Sequence, residues 1–116
     1  MIVLPFPPAE FSGHNTGAWF TKSPLIAAYR LEAKLLTKTW MRETGFQVPP
    51  SGDILISFRF VPPDKRGDRT NFAGRLKPQI DGIADALEVN DARFLPSYAF
   101  AGPEKPGRVE VRIWTP

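Results

Sequence analysis

The chain has 116 residues, 42% hydrophobic and 12% aromatic, with a net charge of +3 at pH 7. That length suits one domain around one core, and the mixture of apolar and charged residues excludes a disordered or collagen-like chain. The absence of cysteine excludes a disulfide framework and a thiolate metal site, so a metal would be held by oxygen and a reducing compartment, the cytoplasm, is expected.

Residues 1–6, MIVLPF, are a short apolar run ended by prolines, as a first strand would be. No basic residue precedes the run and no segment approaches the roughly 18–20 apolar residues of a membrane span, so neither export nor a membrane partner is expected. A polar loop follows to residue 22. Within it Phe11, Trp19 and Phe20 are candidates for stacking on a base or covering a dimer contact, whereas His14, the lone histidine, has no nucleophile arrangement beside it.

Ser23 offers an N-cap hydroxyl, Pro24 suits the first helical position, and Gly45 supplies a stop. The spacing predicts a helix between them, with Ile26, Tyr29, Ala33, Leu36 and Trp40 on one face. Arg30, Lys34, Lys38 and Arg42 recur every fourth residue and drift only about 40° per step, which makes a basic stripe. Such a stripe is either a solvated face or a track for phosphates.

Residues 53–61, DILISFRFV, alternate as a strand. The loop PPDKRGDRT then adds Lys65, Arg66 and Arg69, with Arg75 and Lys77 beyond it, and this concentration favours the phosphate track. Leu76, Ile80, Ile83 and Leu87 share a second helical face, and Pro78 requires the helix to start there or to start near Asn71 and kink. Residues 94–101 and 108–114 alternate around the turn-forming GPEKPG and read as a closing hairpin. Phe58, Phe60, Tyr29, Trp40 and Trp114 stand at core-type spacing. The order β-α-β-α-β-β over 1–116 predicts a single α/β (α+β) domain, a mixed sheet with two helices packed on one face.

With Lys77 as zero, Glu88, Asp81 and Asp85 lie at about 20°, 40° and 80° on the second helix, beside the apolar face. Lys77 and Asp81 suit a weak i,i+4 pair, but Asp81 and Asp85 repel at that spacing, which calls for a cation to offset them. Phosphodiester hydrolysis needs an activated water and a cation at the leaving oxygen, and Mg²⁺ held by a few carboxylates supplies both. Asp68 before the helix, Asp81 on it and Asp91 after it are therefore candidate metal ligands. No phosphate-binding loop or dinucleotide fingerprint occurs, so no nucleotide cofactor is expected.

The motif DRTN at Asp68 to Asn71, Lys77 with Asp81 inside LKPQIDGIADAL, and the pair Asn90–Asp91 resemble the signature of RusA-type Holliday-junction resolvases, Mg²⁺-dependent endonucleases carried mostly by phages and prophages. The early LPFPP followed by Asn15, AYR on the first helix and RFVPPDKRGD are also similar to that family. The resemblance implies a homodimer that binds a four-way DNA junction and nicks opposing strands using Mg²⁺ or Mn²⁺. It makes Asp68, Lys77 and Asp91 catalytic, Asp68, Asp81 and Asp91 metal-binding, and Thr70, Asn71, Asp85 and Asn90 supporting residues. The DNA surface would comprise Arg30, Lys34, Lys38, Lys65, Arg66, Arg69 and Arg75. Thr70 and Asn90 stand where the family carries acids. Threonine keeps a coordinating hydroxyl but removes a negative charge, so the alternative is a junction-binding protein of the same fold with weak or no cleavage.

Overall fold

Strand alternation decides which side chains meet the helices in the computed structural model, which describes residues 1–12 and 23–116. Four strands, β1 (Ile2–Leu4), β2 (Ile54–Val61), β3 (Phe94–Phe100) and β4 (Arg108–Trp114), form one sheet, and two helices, α1 (Pro24–Thr44) and α2 (Lys77–Leu87), accompany it. On β2, Ile54, Ile56, Phe58 and Phe60 are buried while Arg59 is exposed. With Val109, Val111 and Ile113 of β4 and Ile2 and Leu4 of β1 they build the sheet's half of the core, against Ala33 of α1 and Ile83 and Leu87 of α2. The fold is α+β: a mixed sheet with both helices packed against it.

The sheet order is β1-β4-β2-β3. β3 runs parallel to β2, from Ile54 opposite Phe94 to Phe60 opposite Phe100, while β4 is antiparallel to both β1 and β2. The expected hairpin of the last two strands therefore does not form. β4 buries three apolar side chains and takes an interior position; β3, exposed along nearly its whole length, takes the edge. The connecting loop passes around the end of β2, where Ala101 N–H donates to Phe60 O at 2.9 Å and Glu104 N–H to Pro62 O at 2.8 Å. The unit β2–α2–β3 becomes a parallel crossover, for which a helix is the usual connection.

α1 has the predicted ends: the Ser23 hydroxyl accepts from Ile26 N–H at 3.4 Å, and Gly45 closes the helix at φ 71°. Its buried residues are Ala33 and Thr37, whereas Leu36 is 37% exposed. Leu36 lies about 60° round the helix from Ala33, at the edge of the stripe, and Thr37 takes the position nearer its centre. α2 begins at Lys77 with Pro78 in its first turn, where a missing N–H costs nothing. Two 3-10 turns, Arg69–Asn71 and Ala73–Leu76, precede it in place of a kinked extension.

Two aromatic expectations change. Trp114 points from the outer face of the sheet and is 42% exposed, opposite Leu55. Phe11 is fully buried, its ring edge-on to Tyr29 at 5.1 Å, so it packs and is not offered to a base. His14, Asn15, Trp19 and Phe20 lie outside the described residues. Among the described residues no helix is long and apolar enough to cross a membrane.

The helices meet backbone to backbone at Gly82. A Cβ there would overlap Arg30 O and come within 2.9 Å of Ala33 Cβ and 3.0 Å of Lys34 N. By helix propensity alone Gly82→Ala would gain about 1 kcal/mol. Because the nearest obstructing atom is the Arg30 backbone carbonyl, the variant is expected instead to lose about 2 kcal/mol or more in a urea titration. An unchanged or raised midpoint would show that the helices separate freely.

Candidate functional site

Of the charges expected on one face of α2, Lys77, Asp81 and Asp85 are joined into a chain of alternating sign, while Glu88 falls at the left-handed end of the helix, outside that chain. Lys77 Nζ donates to Asp81 Oδ1 at 2.9 Å and to Asp91 Oδ2 at 3.0 Å. From α1, Arg30 donates to both oxygens of Asp85, Nε to Oδ2 at 2.7 Å and NH2 to Oδ1 at 3.0 Å, and its NH1 lies 3.9 Å from Asp81 Oδ2. The order along the chain is Asp91, Lys77, Asp81, Arg30, Asp85. The cation called for by the Asp81–Asp85 repulsion is Arg30, delivered across the Gly82 contact.

Asp91 reaches Lys77 because the chain reverses after α2. Glu88 adopts the left-handed conformation at φ 56°, and Val89 N–H donates back to Ala84 O at 3.1 Å, a Schellman-type end. The Asn90 side chain then accepts from Ala92 N–H at 2.9 Å and caps the turn Asp91–Arg93. Arg93 ties that turn to the preceding loop by donating to Gly52 O at 3.0 Å and Pro49 O at 2.8 Å. Sequence reasoning missed Arg93 because its partners are backbone carbonyls about forty residues away. The Asn90 cap, by contrast, is a local signal: an Asx residue before a short turn.

The electrostatics follow from these bonds. The hydrogen bond from Lys77 to Asp81, and then that to Asp91, raises the lysine's pKa against the opposing effect of burial. The Arg30 hydrogen bond holds the Asp85 carboxyl below its ordinary value. Asp81 and Asp91 thus share one cation, and both offer hard oxygen donors of the kind Mg²⁺ takes. Among the described residues no three His, Cys, Asp or Glu side chains gather closely enough to hold a metal ion between them.

Asp68 stands apart from this chain, joined to it by no described hydrogen bond or ion pair. With Thr70, Lys65, Arg66 and Arg69 it lines an open cavity of about 480 Å³ on the loop that leads into α2. Asp68, Thr70 and Asn71 are exposed, and Asp68 O accepts from Asn71 N–H at 2.9 Å to start the 3-10 turn. The predicted acids therefore fall into two groups, Asp81, Asp85 and Asp91 within the ion chain and Asp68 in a basic cavity. Of the predicted DNA-contacting residues, Arg30 is engaged by the acids, Arg66 by Asp64 at 2.7 Å, and Lys38, Lys65 and Arg69 are exposed. Lys34 is half-buried.

These elements define an α+β domain with an acid–base chain on one helix face and a basic cavity on the loop feeding that helix. No known family's sequence profile matches the chain. An uncharacterized protein of Xylella fastidiosa strain Temecula1 is 31% identical over 97 residues, which cover 81% of this chain and 61% of that protein. The chain therefore spans about three fifths of that relative's length.

The Arg30–Asp85 pair carries a pH signature. Because the folded Asp85 titrates below its ordinary value of 3.8, its ionisation stabilises the fold above that value and the gain disappears as pH falls through the folded pKa. The partners' side chains are 49% and 34% exposed, so solvent screening limits the pair to about 0.5–1 kcal/mol. Asp85→Asn is expected to be less stable than the native chain by about that amount at pH 7, with the two urea midpoints converging below pH 3.8. A gap that persists into strong acid would assign the effect to packing.

Proposed function

We propose that this protein is a divalent-metal-dependent, structure-specific endodeoxyribonuclease of the RusA type, acting on four-way junctions or other branched DNA in the cytoplasm. The observation that carries the reading is Lys77 held between Asp81 and Asp91, on the helix that follows a loop rich in Lys and Arg. Two carboxylates already within hydrogen-bond reach of one cation fit an ion that takes few protein oxygens and keeps waters and substrate phosphate for the rest. Bound Mg²⁺ or Mn²⁺ would supply a water activated near neutral pH and charge neutralisation at the leaving oxygen.

The chain's own residues then have separate tasks. Asp81 and Asp91 hold the ion, Asp68 adds a further acid from the basic cavity, and Arg30 and Arg93 fix the elements that present them. Lys77, whose pKa is raised further by its carboxylate partners, is the cation available to a phosphate. Lys34, Lys38, Lys65, Arg66 and Arg69 supply sequence-independent affinity for the backbone, which positions branched DNA without reading bases.

Two protomers would nick opposing strands. Support for a homodimer comes from β3, whose outer edge has no strand partner among the described residues and which leaves Leu95, Tyr98 and Phe100 at 54%, 43% and 45% exposure. An uncovered apolar edge invites pairing with a second chain.

One observation favours a second reading, a junction-binding protein that cleaves weakly or not at all. Thr70 places a neutral hydroxyl beside Asp68, where the resemblance expects an acid.

The test is incubation of the purified protein with a synthetic four-way junction, with and without Mg²⁺ or Mn²⁺. Metal-dependent nicking of the junction in preference to linear duplex is expected, with Asp91→Asn and Asp68→Asn lowering the rate by at least about 100-fold while binding persists. Tight binding with no cleavage in either metal would leave the second reading, and Thr70→Asp would then be expected to gain activity. Light scattering of the protein in solution checks the dimer.

A further inference from the structure

Two cavities flank the loop before α2 and share Asp64, Arg66 and Gly67. One contains Asp68. The other, of about 400 Å³, is walled by Phe6, Pro7, Pro63 and Pro106 and contains Arg75. Its only carboxylate among the described residues is Asp64, which accepts from Arg66 Nε at 3.1 Å, NH2 at 2.7 Å and backbone N–H at 2.9 Å. The Arg75 guanidinium has no such partner: it enters no described hydrogen bond or ion pair, only the backbone N–H being engaged, with Phe72 O at 3.0 Å, and its Nε is fully buried with nothing to accept its proton. Its guanidinium lies over the Phe72 ring at 5.2 Å, a contact that fixes the fork without satisfying any donor.

A buried donor without an acceptor is costly, and the proline and phenylalanine side chains around it offer none in compensation. The forked donors match two oxygens of one tetrahedral anion. Gly67 leaves the ridge between the cavities bare; at φ 85° it carries no side chain, and a Cβ would already stand 3.4 Å from Arg75 NH2. A strand lying in the Asp68 cavity can therefore cross at Gly67 with its sugar–phosphate backbone close to the protein.

We propose that the Arg75 pocket is a phosphate-binding subsite for a nucleic-acid strand, seating a phosphodiester on the far side of the Gly67 ridge from Asp68. Arg75 is a positioning residue there, fixing the register of the strand relative to the acids. The assignment of the phosphate to a nucleic acid rests on the endonuclease reading; the pocket's affinity for phosphate does not.

The experiment follows the Arg75 Nε–H resonance in ¹H–¹⁵N spectra of the full chain. Inorganic phosphate and the dinucleotide d(TpT) should each shift it saturably, while chloride at matched ionic strength should leave it in place. No saturable shift, or an equal response to chloride, overturns the subsite. In parallel, Arg75→Gln should weaken junction binding roughly tenfold and reduce the slope of log affinity against log salt by about one. Arg75→Lys should restore the slope without the full affinity, a split that loss of fold would not produce. A saturable phosphate shift in a protein that binds no junction would sink the endonuclease reading and uphold the pocket. Junction binding and cleavage with Arg75→Gln unchanged in affinity and slope would sink the pocket and leave that reading intact.

Discussion

The missing side chain at Gly82 is the constraint on which the rest of the site depends. It lets α2 approach the α1 backbone between Arg30 and Lys34 closely enough that any Cβ would overlap. That approach brings the Arg30 guanidinium over the middle and last turns of α2, where it reaches Asp81 and bonds Asp85. A helix with acids four residues apart would be strained by itself. Placed against α1, it gains a cation between them, and the repulsion becomes a bridge. The packing of two helices and the charge pattern of the site are thus one feature of the structure.

The second half of the charge chain depends on backbone turns. Glu88 accepts an unfavourable left-handed conformation, and Asn90 and Arg93 hold the next turn in place, so that Asp91 meets Lys77. Each contact is individually modest, since most of the groups are half-exposed and screened. Their effect is geometric: three acids and two cations are brought together on a face that remains open to solvent. The apolar side of α2 supplies the rigidity, with Ile83 and Leu87 in the core against β2 and β4.

Local signals in the sequence were sufficient where the physics is local. Ser23, Pro24 and Gly45 mark the ends of α1 because capping is decided within a few residues, and the alternation of β2 follows from the pleat. The grouping of Lys77, Asp81 and Asp85 on one face is a matter of helical pitch. What stayed hidden is set by partners far along the chain. The parallel seat of β3, the insertion of β4 between β1 and β2, and the bond from Arg30 to Asp85 each join segments tens of residues apart. Leu36 and Trp114 show the same limit: their spacing is that of core residues, but the packed stripe centres on Ala33 and Thr37, and the helices cover only one side of the sheet. The DRTN motif suggests a joint role for Asp68 and Asp91; in the fold Asp68 lines the basic cavity on the loop before α2, with no described hydrogen bond or ion pair to the other acids.

The bond of Lys77 to two carboxylates bears on what it does. Asp81 and Asp91 already share one positive charge, so a divalent ion entering between them would leave the cluster over-neutralised unless Lys77 gave way. Its ammonium sits on a flexible four-carbon stem, 60% exposed, and can leave at little cost in packing. The nearest use for a displaced cation in a DNA-bound complex is the phosphate itself. On the proposed reading, Lys77 therefore has two positions: a placeholder between carboxylates in the free protein and a phosphate ligand in the complex. The acids stay ordered in both states, because Arg30 and Arg93 hold their supporting elements independently of Lys77.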